Sequence, residues 1–181
     1  MKAIPPGLRR RAQKIKLLLL DVDGVLTDGG IFIDDRGVEI KRFDVRDGQG
    51  ITLLRRGGIE VGFITGRSSQ IMRRRARELG IRLLYQRAPQ KLEIYSRIKR
   101  STGFADAQIA YVGDDVMDTP IMRHAGLAIT VKDSWSGVKP LAHYVTRCEG
   151  GHGAVREVCE LLLKAQNLWD GVIEDYLPKK A

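Results

Sequence analysis

The chain alternates continuous apolar runs with amphipathic stretches. "IKLLLL" (15–20) ends in four consecutive leucines, which predicts a strand buried on both faces of a parallel sheet. "EVGFIT" (60–65), "IRLLYQ" (81–86), "QIAYVGD" (108–114), "GLAITV" (126–131) and "AHYVT" (142–146) share that character. Helical patterns lie between them at 48–58, 68–80, 90–103 and 118–126. A last one, 153–169, puts Val155, Val158, Leu162 and Ala165 on one face. Strand alternating with helix predicts an α/β fold, a Rossmann-like open, mostly parallel sheet with helices on both faces. The 181 residues suit a single domain, 1–181. "IFIDDRGVEIKRF" (31–43) breaks the rhythm and reads as a β-hairpin around an Asp-Asp-Arg-Gly turn. The ends, 1–11 and 170–181, are expected to be flexible.

In open sheets of this kind the ligand crevice lies beyond the carboxyl ends of the strands. The residues at those ends are distinctive. Asp21 and Asp23 follow the leucine run, "ITGR" supplies Thr65, Lys91 opens a helix, and "VGDDVMD" supplies Asp114, Asp115 and Asp118. Clustered carboxylates repel one another, so the set needs a cation. Hard oxygen ligands with open positions suit Mg²⁺. Lys91 would add positive charge and Thr65 a hydrogen-bond donor. One carboxylate is then left to attack phosphorus, and a second can protonate a leaving alkoxide and later activate water. Taken singly, Thr65 could be a helix N-cap, Lys91 a solvated charge and the GDD a turn. Their shared order at strand ends and helix starts is what separates the set from coincidence.

Charge narrows the partner. The 31 basic against 22 acidic residues leave a net charge of +9, which draws anions. Aromatics make up only 6% and do not interleave with the basic residues, so no single-strand nucleic-acid platform is expected. "MRRRARE" (72–78) reads as a solvated face, with Met72, Ala76 and Leu79 turned inward. A small anionic substrate fits better than nucleic acid. The two cysteines, Cys148 and Cys159, form no metal or disulfide pattern, and no run approaches membrane-spanning length. A reduced, cytoplasmic protein is expected. Arg67 could meet a substrate carboxylate with its guanidinium fork, and Arg46 is a similar candidate. Asp47 could cap its own helix or bind sugar hydroxyls. "GGHG" (150–153) could offer backbone N–H groups to an anion or be an ordinary loop. His152 has no partner readable from sequence, and His124 and His143 read as packing or surface residues.

"DVDGVLTDG", "ITGR", Lys91 and "GDDVMD" resemble the four motifs of the haloacid dehalogenase superfamily of phosphotransferases. The resemblance implies Asp21 as nucleophile and Asp23 as acid and base. It implies Mg²⁺ held by Asp21, the backbone carbonyl of Asp23, and Asp114. Thr65, with Gly66 beside it, and Lys91 would bind the phosphoryl group, and Asp115 and Asp118 would act on the metal at one remove. "DGGIFIDDRGVEIKRFDVRDGQGI", "TGRSS" and "YVTRCEGGHGAVREVCELLLKAQ" carry the likeness further: across roughly residues 12 to 168 the chain is similar to the 3-deoxy-D-manno-octulosonate 8-phosphate phosphatase family. That likeness implies release of an eight-carbon acid sugar for lipopolysaccharide. It departs at Arg87 and Gln90, where relatives usually carry glycine and often aspartate; Arg87 would face the substrate or solvent.

Three other readings carry their own tests. A nonulosonate (sialic-acid-type) 9-phosphate phosphatase shares much of the pattern, although the arginine of "TGR" favours the octulosonate enzyme. A receiver-like signalling module also gathers acids, a Thr and a Lys around Mg²⁺, but in a different order along the chain. A non-catalytic partner of a sugar nucleotide synthetase would not hydrolyse any phosphosugar. Finally, the hairpin carries Ile31, Ile33, Val38, Ile40 and Phe43, and no insertion is long enough for a cap domain. A homotetramer with hairpins pairing between subunits is expected, as the resemblance implies.

Overall fold

The computed structural model describes residues 4–177. In chain order come α1 (Pro6–Ala12), β1 (Leu17–Leu20), β2 (Phe32–Ile33), β3 (Glu39–Ile40), α2 (Val45–Arg56), β4 (Glu60–Ile64), α3 (Gln70–Glu78) and β5 (Leu83–Tyr85). They are followed by α4 (Lys91–Thr102), β6 (Ile109–Val112), α5 (Thr119–Met122), β7 (Leu127–Thr130), β8 (Tyr144–Val145), α6 (Ala154–Ala165) and α7 (Trp169–Ile173). Six strands make one sheet in the order β5-β4-β1-β6-β7-β8, and every neighbouring pair is parallel. The chain turns outward from β1 to β4 on one side and crosses to β6 on the other. A crevice opens at that switch point, beyond the carboxyl ends of the three central strands.

The leucine run explains how the sheet is covered. A strand sends alternate side chains to opposite faces. Leu18 and Leu20 join one core with Ile51, Leu54, Met72, Val155 and Leu162. Leu17 and Leu19 join the other with Tyr95, Ile98, Ile121 and Met122. A strand buried on both sides has no position where a polar residue is tolerated.

Several local expectations change. Helix α2 begins before its apolar period does, because Asp44 caps it by accepting a hydrogen bond from Arg46 N at 2.6 Å. Asp47 therefore does not cap its own helix. It is buried, and its carboxylate accepts hydrogen bonds from Arg156 N at 2.7 Å and Gly153 N at 3.3 Å, which caps the N-terminus of α6. Burial pushes Asp47 up to about 6. Ser69, not Thr65, caps α3. Helix α6 buries the four residues the pattern assigned, but it ends at Ala165 instead of reaching 169. The ends are less free than expected. Leu8 and Ala12, one turn apart, bury the inner face of α1 against the core, and Arg11 Nη1 donates to Gly126 O at 2.9 Å. Val172 and Ile173 of α7 pack on the same core. Residues 1–3 and 178–181, part of that expectation, lie outside the described residues.

Strands β2 and β3 pair antiparallel, Phe32 opposite Ile40 and Ile33 opposite Glu39, as a ribbon separate from the main sheet. Among the described residues no larger domain is inserted. Among the described residues no helix is long and apolar enough to cross a membrane.

Candidate active site

Asp21 is the first residue beyond β1, held by its N–H donating to Val112 O at 2.9 Å. Its Oδ2 lies 2.8 Å from Lys91 Nζ, and Lys91 also donates to Asp118 Oδ1 at 2.7 Å. Lys91 starts α4 and its side chain is buried. Asp118 is wholly enclosed. Its Oδ1 also accepts from the Tyr111 hydroxyl at 2.5 Å, and its Oδ2 accepts from the N–H groups of Asp114 (2.9 Å) and Asp115 (3.2 Å). With both oxygens engaged, Asp118 fixes Lys91 and shapes the acidic loop. One carboxylate oxygen from each of Asp21, Asp114 and Asp118 falls within 4.8 Å of the others.

Glycine makes this convergence possible. A Cβ on Gly24, whose φ is +87°, would stand 2.1 Å from Asp114 Oδ2, so any side chain there would displace the carboxylate. The 150–153 loop braces the turn from outside. A Cβ on Gly150 would meet Gly24 O at 1.9 Å, and Gly151 N donates to Val25 O at 3.0 Å. The N–H of Gly150 goes to Asp133 Oδ1 at 2.9 Å and that of Gly153 to Asp47. These groups are spent on the fold, so the loop is not the anion cradle its glycines suggested. His152 contacts Gly150 O and Arg42 Nη1.

An open crevice of about 300 Å³ gathers Asp21, Asp23, Thr65, Gly66, Arg67, Lys91, Asp114, Asp115 and Asp118. The Thr65 hydroxyl donates to Asp23 Oδ2 at 3.5 Å and accepts from Arg67 N at 3.1 Å. Arg46 and Asp47 do not belong to the crevice. Arg46 pairs with Asp44 at 2.9 Å and lines a separate hollow with Cys148 and His152, and Asp47 is occupied at α6. Arg87 is exposed and is not among the residues lining the crevice; its φ of +54° is a left-handed conformation that glycine would adopt freely. Two residues that sequence reasoning missed do reach the site. Lys41 contacts Asp23 Oδ1 and lies 3.5 Å from Glu39, and Glu39 accepts from Arg67 Nη2 at 2.7 Å. The available signal was the alternation Val38, Glu39, Ile40, Lys41, which puts both charged residues on one face of the ribbon.

Burial pushes Asp21 up to about 7, with Asp118 adding repulsion and Lys91 opposing it. Burial and the charges of Asp21 and Asp118 push Asp114 up to about 8. Burial works against the charge on Lys91, yet Asp21 and Asp118 outweigh it and raise its pKa. One lysine does not neutralise this group. Carboxylate oxygens that repel one another at an open crevice are the donor set a hard divalent cation requires, so the residues fit Mg²⁺.

Known proteins resemble this chain over most of its length. No protein-family model matches it. The 3-deoxy-D-manno-octulosonate 8-phosphate phosphatase of Yersinia pestis is 46% identical over 162 residues, 90% of this chain and 87% of that protein. The Escherichia coli K12 enzyme of the same name is 48% identical over 160 residues, 88% and 85% of the two chains. The crystal structure of the phosphatase so named from Moraxella catarrhalis, in complex with magnesium ion, phosphate ion and KDO, superposes with a TM-score of 0.92. It is 42% identical and covers 94% of this chain and 98% of that one.

The raised carboxylates set the sign of a pH effect. Groups whose folded pKa exceeds the ordinary value of 3.8 favour the folded state below that value, and this contribution is lost as pH rises through about 7 to 8. A cation competes with those protons. Mg²⁺ is therefore expected to raise the thermal midpoint more at about pH 8.5 than at about pH 6, measured by calorimetry with and without EDTA. An equal shift at both pH values would contradict the assignment of Asp21 and Asp114.

Proposed function

The chain belongs to the 3-deoxy-D-manno-octulosonate 8-phosphate phosphatase family of the haloacid dehalogenase superfamily, and from that premise we propose that it hydrolyses this sugar phosphate in an Mg²⁺-dependent reaction. The observation that carries the reading is the convergence of Asp21, Asp23, Thr65, Lys91 and Asp114 on one crevice. The products are the free sugar acid and inorganic phosphate. The setting is lipopolysaccharide precursor synthesis in the cytoplasm, in keeping with two free thiols.

In this mechanism Lys91 and the Thr65 hydroxyl hold the phosphoryl oxygens. An Asp21 oxygen forms a bond to phosphorus while the bond to the sugar oxygen breaks, and Asp23 gives its proton to that oxygen. Asp23 then takes a proton from water as the water oxygen bonds to phosphorus and Asp21 recovers its electron pair. Asp21, Asp114 and the Asp23 carbonyl would hold Mg²⁺, which supplies charge stabilisation for the phosphoryl group. Asp115 and Asp118 would support those ligands. Arg67, at the crevice edge, would meet the substrate carboxylate in place of Glu39.

The assembly belongs to the same proposal. Ile31, Phe32, Ile33, Val38 and Ile40 are each more than half exposed, on a two-stranded ribbon that is marginal alone. We propose that hairpins pair between four copies and that a neighbour covers each open crevice.

Phosphate release from a sugar-phosphate panel tests the substrate. The octulosonate 8-phosphate should be preferred over nonulosonate 9-phosphates. Arg67→Ala should raise KM for it about 10- to 100-fold, the loss of one charged hydrogen bond, with little change for p-nitrophenyl phosphate. Equal losses on both substrates would assign Arg67 to the phosphate or to the fold. Light scattering should give about four chain masses. Replacing Phe32, Ile33 and Ile40 with Ser should yield smaller species that lose sugar-phosphate activity before p-nitrophenyl phosphate activity. A fully active monomer would refute the assembly.

A further inference from the structure

The hairpin is inverted with respect to an ordinary surface ribbon. Val38 and Ile40 face outward and are exposed, while Glu39 and Lys41 turn toward the crevice. The Lys41 side chain is only 3% exposed. A lysine is rarely buried without a carboxylate to pair with, and this ribbon has no core of its own to hide it in. What compensates the desolvation of Lys41 is a carboxylate on either side: Asp23 Oδ1 in direct contact, and Glu39 Oε1 at 3.5 Å. Glu39 in turn holds Arg67 at 2.7 Å. The four residues form a chain in which acidic and basic groups alternate, Asp23, Lys41, Glu39, Arg67. Its two ends are the residue proposed to move the proton and the residue proposed to read the substrate's second charge.

We propose that Lys41 is a positioning residue for Asp23. The inference rests on the phosphatase reading above and deepens it. Asp23 has one oxygen on Lys41 and the other, Oδ2, 3.5 Å from the Thr65 hydroxyl. Thr65 is fixed in the crevice by its N–H donating to Tyr85 O at 2.9 Å and its carbonyl accepting from Ala88 N at 3.1 Å. The Lys41 contact prevents the Asp23 carboxylate from rotating about its own stem. It leaves Oδ2 as the oxygen that carries the proton. That proton passes to the sugar oxygen as the phosphorus–oxygen bond breaks and the electron pair moves onto that oxygen. In the second half Oδ2 takes the proton of the attacking water. Lys41 is not among the residues lining the crevice, and its role runs through its contact with Asp23.

A residue that acts only through the acid should matter in proportion to how much the leaving group needs an acid. A sugar alkoxide is a poor leaving group and depends on protonation, whereas p-nitrophenolate leaves without it. A purely structural lysine would not make that distinction.

The test compares the single-turnover rate of alcohol release, the step that precedes attack by water and the only one in which the two leaving groups differ, from octulosonate 8-phosphate and from p-nitrophenyl phosphate for wild type, Lys41→Met and Lys41→Arg, and repeats Lys41→Met in an Asp23→Asn background. Lys41→Met should lose about 100-fold on the sugar phosphate, part of the range expected for general acid–base help. It should lose less than about 3-fold on p-nitrophenyl phosphate, which also shows that the variant is folded. Lys41→Arg, which keeps the charge, should recover most of the sugar-phosphate rate. Adding Lys41→Met to Asp23→Asn should cost nothing more, because the group it positions is already disabled. Equal losses on the two substrates, or additive losses with Asp23→Asn, would overturn the inference while leaving the phosphatase reading in place. A wild-type protein active on p-nitrophenyl phosphate but inert on the octulosonate phosphate would instead overturn the substrate reading, and this inference with it.

Discussion

Lys91 reaches two carboxylates at once, Asp21 at 2.8 Å and Asp118 at 2.7 Å, in a place closed to water on most sides. Such a lysine is stable only because both partners are present, and each partner is tolerable only because the lysine is. The rest of the site follows from that dependence. Tyr111 and the N–H groups of Asp114 and Asp115 fix Asp118, which fixes the ammonium, which fixes Asp21. Asp114 completes the group, and burial, with the charges of Asp21 and Asp118, pushes its pKa up to about 8 against the pull of Lys91. The fold has thus built a site one cation short of balance, at the end of a sheet where a phosphate ester can also approach.

The scaffold makes that imbalance bearable. The sheet is covered on both faces, so the ends of β1, β4 and β6 cannot drift apart. Gly24 removes the one side chain that would push Asp114 away, and the 150–153 loop presses on Gly24 from behind. Asp47 and Asp44, in one short stretch, cap two different helices and lock α2 to α6. The hairpin then closes part of the crevice with polar residues and turns its apolar face outward. That arrangement makes sense for a ribbon with a site beneath it and, on the proposed assembly, a neighbouring copy above it.

Much of this is legible in sequence, and the parts that are not share a cause. The four leucines announce a doubly covered strand because no polar residue interrupts them. Asp21, Thr65, Lys91 and Asp114 can be gathered on paper because each stands at a strand end or a helix start, where topology alone fixes position. Asp47, Arg46 and Lys41 are different, since their roles depend on which distant element each side chain meets. Asp47 looks like a cap for the helix it sits in and caps another one 109 residues away. Arg46 looks available and is held by Asp44. Lys41 looks like a solvated charge on a ribbon and is buried against Asp23. The helix at Pro6–Ala12 was missed because one Leu and one Ala among three arginines give too little period to separate packing from a polar tail.

The account stands on Asp21 as the group that receives phosphorus. Acid quenching of the enzyme during turnover, followed by mass analysis of its peptides, tests this directly. Phosphoryl mass should appear on the peptide carrying Asp21 in the wild type, and Asp21→Asn should keep its fold, carry no label and lose turnover. Label on another residue, or Asp21→Asn working at the wild-type rate, would contradict it.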